Sequence, residues 1–166
     1  MIEVAFVEMS EAYLPKVLEI YNYYIQNSTA TFHIQPLSSE EMRKIVFFNN
    51  PKYQSFVILD REQNINGYCI LAPYKEREAY SITAEVTIYL DQNCTGKGIG
   101  SQALRFLEDF ARNNEFHSLI SVICGENTAS IKLFEKNGYT KRAHFKEIGK
   151  KFGRLLDAVE YQKLLV

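Results

Sequence analysis

The chain has 166 residues, with 19 Lys and Arg against 20 Asp and Glu, so its charges nearly cancel and no global field draws it to nucleic acid or an anionic membrane. Its three cysteines, Cys69, Cys94 and Cys124, are widely spaced with no C-x-x-C, which argues against a disulfide framework and a zinc site and suits a reducing cytoplasm. No stretch reaches the roughly 20 apolar residues that a membrane-crossing helix needs, and the first residues carry no basic, apolar leader, so a soluble protein acting on small molecules or proteins is expected.

Residues 2–7 are β-prone and predict a strand. Ser10 then precedes Leu14, Val17, Leu18, Tyr21, Tyr24 and Ile25, the stripe of an amphipathic helix. Residues 27–36 form a loop. Ser38 and Glu41 have capping-box spacing, and Met42, Ile45 and Val46 make one face of a second helix that stops before Pro51. Runs 55–59 and 68–72 are short and β-rich, and N-I-N-G between them reads as a hairpin turn. Residues 79–90 predict one long strand, with Glu85, Thr87 and Tyr89 on one face and Val86, Ile88 and Leu90 on the other. Leu104, Leu107, Phe110 and Ala111 mark a helix from Gly100, and 117–124 is a buried strand. A helix at 127–136 closes at Asn137-Gly138, and strands follow at 139–148 and 154–162. Nothing repeats and no linker divides the chain, so 1–166 reads as one mixed α/β sheet domain.

The most informative stretch is N-C-T-G-K-G-I-G-S, residues 93–101, with Gly96, Gly98 and Gly100 between a strand and a helix. Backbone N–H groups freed of side chains there, with the positive end of the next helix, can wrap a phosphate. The alternative is a tight strand-to-helix connection. The spacing is neither the dinucleotide G-x-G-x-x-G nor the triphosphate loop G-x-x-x-x-G-K-[ST].

The run A-E-V-T-I-Y-L at 84–90, T-G-K-G-I-G at 95–100 and N-T-A-S-I-K-L-F-E-K-N-G-Y at 127–139 stand in the order seen in the GNAT superfamily of N-acetyltransferases, which the chain resembles. Further runs, I-Y-N-Y-Y-I-Q-N-S-T-A-T-F at 20–32, R-E-A-Y at 77–80 and K-F-G-R-L-L-D at 151–157, are similar to its phosphinothricin N-acetyltransferase branch. The resemblance covers nearly the whole chain. It implies a mixed central β-sheet flanked by helices, with a splayed pair of strands that holds the cofactor. Acetyl-CoA would lie with its pyrophosphate on Thr95, Gly96, Lys97, Gly98, Ile99, Gly100 and Ser101, and its pantetheine arm beside Ile88, Tyr89 and Leu90. Asn127 would reach the arm, with Ser130 one turn along and Lys136 adding positive charge; Asn127 is also a good helix N-cap. The resemblance further implies a homodimer and no metal, and no pair of histidines has metal-ligand spacing.

An amine with pKa near ~9 to 10 is mostly protonated at neutral pH, so acetyl transfer to it needs a base. Glu85 matches the glutamate that serves as base in the branch; the other reading of Glu85 is a solvated or salt-bridged strand carboxylate. Thr31, Phe32, Arg77 and Tyr80 match the acceptor side, where a guanidinium would suit an amino-acid carboxylate. Arg77 is otherwise a solvated loop arginine. Two positions depart from the pattern: Thr95 stands where Arg or Gln is usual, and Phe134 where a tyrosine general acid is common. Tyr89, Tyr139 or a water remain as proton donors to the thiolate. A small-molecule acceptor, a peptide or protein N-terminus, and a non-catalytic acyl-CoA-binding module all fit these motifs.

Overall fold

A computed structural model describes residues 2–166. Its seven strands run in the order β1-β2-β3-β4-β5-β7-β6 across one sheet. They are β1 (Ala5–Glu8), β2 (Gln54–Leu59), β3 (Ile65–Pro73), β4 (Thr83–Leu90), β5 (Ser118–Cys124), β6 (Thr140–Lys151) and β7 (Arg154–Leu164). Helices α1 (Leu14–Asn27) and α2 (Ser39–Val46) cover one face, and α3 (Ile99–Asn113) and α4 (Thr128–Lys136) the other.

The local chemistry explains most of these bounds. Pro15 sits in the first turn of α1, where its missing N–H costs nothing. In α2 the capping box closes in both directions: Glu41 N–H donates to Ser38 Oγ at 3.2 Å, and Ser38 N–H donates to Glu41 Oε1 at 3.1 Å. The apolar stripes of α1 and α2 bury Val17, Ile25, Met42 and Val46 against Val57, Tyr68 and Ile70, while Ile99, Leu104 and Leu107 of α3 pack with Phe134 on the opposite face. Each large side chain so buried contributes about 1.5–3 kcal/mol.

Three elements differ from the sequence expectation. The β2–β3 reversal lies at residues 60–64 and not at N-I-N-G. The Asp60 carboxylate accepts from Glu62 N–H and Asn64 N–H, both at 2.9 Å, and Gln63 takes a φ of 68°, so an Asx-type turn outcompetes the downstream glycine. Gly67 is a strand residue instead. The expected strand 79–90 begins only at Thr83, because Glu78–Ile82 coils into a 3₁₀ turn with Tyr80 N–H donating to Arg77 O at 2.9 Å. The last hairpin runs on to Lys151 and turns at Phe152-Gly153, both at positive φ, as a two-residue turn between twisted strands requires.

The feature that positions the site is a break in pairing. β4 and β5 run parallel and are paired only at Thr83–Glu85 with Ser118–Ile120; β4 stays paired to β3 as far as Leu90, while β5 turns to β7. Past Glu85 the two central strands part, leaving the β5-facing peptide groups of residues 86–90 without a strand partner.

Candidate active site

The parted strands open a cleft of about 1060 Å³, lined by residues 85–90 of β4, the loop and first turn around Thr95, Gly96, Gly98, Ile99, Gly100 and Ser101, the end of β5, and α4. At one end the α3 N-terminus presents N–H groups that no helical carbonyl can reach, with the positive end of the helix dipole behind them. Gly96 and Gly98 adopt φ of 73° and 79°, conformations that glycine takes without strain. A methyl group on Gly96 would meet no atom within 4 Å, so this glycine faces open space. Gly100 differs. A methyl group there would come within 2.9 Å of Leu133 Cδ2, so close packing of α3 on α4 accounts for it. The Ser101 hydroxyl accepts from Asn137 Nδ2 at 3.0 Å, which ties the first turn of α3 to the end of α4.

Asn127 caps α4, its Oδ1 accepting from Ser130 N–H at 3.2 Å, and both residues line the cleft. Lys136 lines it with Lys132, one turn earlier on α4, whereas Lys97 stands outside the wall. Loop amides, a helix N-terminus and two lysines fit a diphosphate, and the unpartnered edge of β4 fits an extended arm bearing amides.

Glu85, half-buried, stands where the strands part, on the face that carries Thr87 and Tyr89 towards α1. Burial pushes its carboxyl above the usual range, the nearby Glu160 carboxylate adds to this, and Lys75 opposes it. Around it lies an aromatic wall. Tyr89 donates to Ala30 O at 3.0 Å, and the Tyr21 hydroxyl lies 2.7 Å from Thr31 Oγ1 and 2.5 Å from His33 Nδ1. The Tyr24 hydroxyl donates to the carbonyl of Leu90. Desolvation, reinforced by Asp91, pushes Tyr24 up to about 12, and burial raises Tyr89 and Tyr139 further. The Phe134 ring meets Tyr139 edge-on at 4.9 Å and, in the position that often holds a donor, has no proton to give.

Thr31, Phe32 and His33 belong to the cleft wall, and distant residues hold them there. Lys151 Nζ donates to Thr31 O at 2.9 Å. The Thr29 hydroxyl donates to Glu126 Oε1 at 2.6 Å, which also accepts from Arg154 Nη2 at 2.5 Å. Arg77 and Tyr80 do not line the cleft: Arg77 precedes the 3₁₀ turn, exposed, and Tyr80 sets its ring against Tyr74 at 6.1 Å. Sequence reasoning missed Tyr21, Tyr24 and Lys132. Only Lys132 had a local signal, its four-residue spacing from Lys136 on one helix face. Among the described residues there is no cluster of side chains able to hold a metal, and no helix is long and apolar enough to cross a membrane.

A cleft between parted parallel strands, with an anion cradle at one end and a carboxylate at the other, is the arrangement of an acyl-group transferase. The family model for the acetyltransferase (GNAT) domain matches residues 10–159, and the chain belongs to that family of enzymes. Among its relatives, a phosphinothricin N-acetyltransferase of Streptomyces coelicolor is 31% identical over 156 residues, 92% of this chain and 91% of its own. An L-methionine sulfoximine/L-methionine sulfone acetyltransferase of Pseudomonas aeruginosa is 31% identical over 147 residues, covering 87% and 84%. The crystal structure of a GNAT superfamily phosphinothricin acetyltransferase from Sinorhizobium meliloti in complex with AcCoA superposes with a TM-score of 0.92 at 31% identity, over 98% of this chain and 88% of that one.

Proposed function

We propose that the protein is an acetyl-CoA-dependent N-acetyltransferase, working as one domain, that passes the acetyl group directly to the amine of a small amino acid or amino-acid analogue of the phosphinothricin or methionine sulfoximine kind. The observation that carries this reading is the position of Glu85. It is a half-buried carboxylate at the fork of β4 and β5, five strand residues, or about 16 Å, from Leu90 and the anion cradle. An extended thioester-bearing arm lying along β4 would bring its acyl carbon to that fork.

Acetyl-CoA supplies the activated acetyl group. Amides of residues 95–101 with Lys132 and Lys136 hold its phosphates, Asn127 and the edge of residues 88–90 hold the arm, and the unpartnered β4 backbone just past Glu85, at the fork, polarises the thioester carbonyl. Glu85 takes a proton from the acceptor's ammonium, directly or through a water, and its raised affinity for protons suits that exchange near neutral pH. The freed nitrogen attacks the carbonyl carbon, the C–S bond breaks, and sulfur leaves as a thiolate, which takes up through water the second proton that the nitrogen sheds on becoming an amide. A CoA thiol has a pKa of about 8.5, so its thiolate can leave without a strong acid. That accommodates Phe134 and the reluctant hydroxyls of Tyr24, Tyr89 and Tyr139. Thr31 and Phe32 form the acceptor wall; Arg77 and Tyr80 fall outside the acceptor pocket of one copy.

Two further parts of the proposal concern context. Phe145, Ile148, Phe152 and Leu155 are exposed on the β6–β7 hairpin, an apolar patch that supports a homodimer in which a second copy of the chain would cover it, and light scattering tests this. The three cysteines are free and two are buried, which suits a reducing cytoplasm. The activity is tested by following thiol release from acetyl-CoA with phosphinothricin, methionine sulfoximine, methionine sulfone, polyamines and peptides. Thiol release with the amino-acid analogues supports the assignment, and silence across the panel refutes it. Glu85→Gln should lower kcat at least 100-fold while calorimetric acetyl-CoA binding persists.

A further inference from the structure

Glu85 is not the only carboxylate at the fork. Paired residues on neighbouring strands share a face, and every second residue along a strand returns to it. Glu85 pairs with Ile120, Val122 lies two residues on, and Val122 pairs with Glu160 of β7. Glu160 therefore projects from the same face as Glu85, on the far side of the gap opened beyond Ile120, at the margin of the cleft and outside the residues that wall it. It interrupts a strand whose neighbours Val159 and Tyr161 are buried in the opposite core. The Tyr74 hydroxyl donates to Glu160 Oε1 at 3.0 Å, joining the end of β3 to β7 past β4 and β5. Among the described residues neither Glu85 nor Glu160 forms an ion pair. Lys75 is near enough to act on Glu85 but pairs with neither carboxylate, and half-buried carboxylates facing each other without a direct partner are costly unless something positive comes between them.

We propose that Glu160, held by Tyr74, is a positioning residue for the acceptor: with Glu85 it presents carboxylates from both sides of the fork, so the acceptor docks as an ammonium ion and yields its proton to Glu85. This deepens the function proposed above and rests on it. The first proton lost from nitrogen goes to Glu85, the nitrogen lone pair it frees goes to the acyl carbon, and Glu160 takes no part in the transfer. The field of Glu160 contributes to the raised proton affinity of Glu85. The other titratable groups turned to the pair are Tyr74, Lys75, Tyr80 and Tyr89. A pocket of this charge favours acceptors with neutral side chains, as in methionine sulfoximine, over those with a second anionic group, as in phosphinothricin.

The test compares Glu160→Gln and Tyr74→Phe with the wild type. In Glu160→Gln the acidic limb of the kcat/KM profile against pH should move down by roughly half a unit to one unit, and the acceptor KM should rise more than kcat falls. The preference for methionine sulfoximine over phosphinothricin should shrink about threefold or more, as expected when one neighbouring charge is removed. Tyr74→Phe should shift all three the same way by less. A carboxyl-carbon NMR titration of Glu85 with and without Glu160→Gln reads the coupling without any turnover. Folded Glu160→Gln protein with an unmoved acidic limb, an unmoved Glu85 titration and an unchanged acceptor preference overturns the proposal. A wild type that acetylates no amine overturns the proposed function instead, and the NMR titration then still decides whether the two carboxylates are coupled.

Discussion

Gly67→Ala would place a methyl group 2.5 Å from the carbonyl oxygen of Tyr89 and 2.9 Å from both Cα and Cδ2 of Leu90. Ordinary carbon contacts sit at about 3.5–4.0 Å, and two of these three atoms belong to backbone that no rotamer change can move. β4 must therefore yield by roughly 1 Å where Gly67 faces Leu90 and where Asp91 N–H donates to Asn66 O at 2.8 Å. Overpacking of this kind costs about 1–3 kcal/mol. In a chain of this size each kcal/mol lowers the melting temperature by about 2–4 °C, so a fall of roughly 2–12 °C is expected. The displaced segment is the lip of the cleft just before the glycine loop, so acetyl-CoA affinity should fall as well. Scanning calorimetry reads the first effect and titration calorimetry the second. A variant that melts within a degree of the wild type and binds acetyl-CoA equally well would show that the close approach of β3 and β4 does not constrain the cleft.

Gly96→Ala meets no steric obstacle but must hold φ at 73°, so it should lose only about 1–2 kcal/mol of stability while acetyl-CoA affinity drops tenfold or more, the two being separated by thermal melts and calorimetry. Glu85 carries a raised folded pKa; its contribution to stability is therefore fully present below the unfolded value near ~4.3 and is lost as pH rises through the folded one. Glu85→Gln should accordingly melt above the wild type at neutral pH and beside it at pH 4, as differential scanning would show. Lys163 Nζ donates to the buried Glu108 at 3.0 Å and to Asn137 O at 2.8 Å, so Lys163→Met leaves an uncompensated buried carboxylate. The loss should be about 3–5 kcal/mol in denaturant unfolding and change little with added salt.

Signals confined to one element were legible in the sequence. The capping box of Ser38 and Glu41, the stripe of α1, the alternation of Glu85, Thr87 and Tyr89 and the glycine loop all obey rules of a few residues' reach. Misreadings arose where two local rules competed or a contact was non-local. N-I-N-G looked like a turn, but Asp60 supplied a better one upstream, and Gly67 answers to a strand more than twenty residues away. Gly100 lines the cleft with the other loop glycines and also packs against Leu133 of α4, a second constraint that no local pattern reveals. Residues 78–82 have strand-like composition but no neighbouring strand to pair with. Tyr24 at Leu90 O, and Glu160 opposite Glu85, depend on strand order and register, which no window of the sequence contains.

The bonds from Lys151 to Thr31 and from Arg154 through Glu126 to Thr29 span separations of up to 120 residues, whereas the anion cradle is assembled from β4, α3, β5 and α4, which follow one another along the chain. Contacts of high sequence separation form late and are costly to close. An acceptor wall tied by such long closures should loosen before the cradle does, so mild denaturant should blur the choice of acceptor before acetyl-CoA binding is lost, as competition assays and calorimetry along a denaturant series would show.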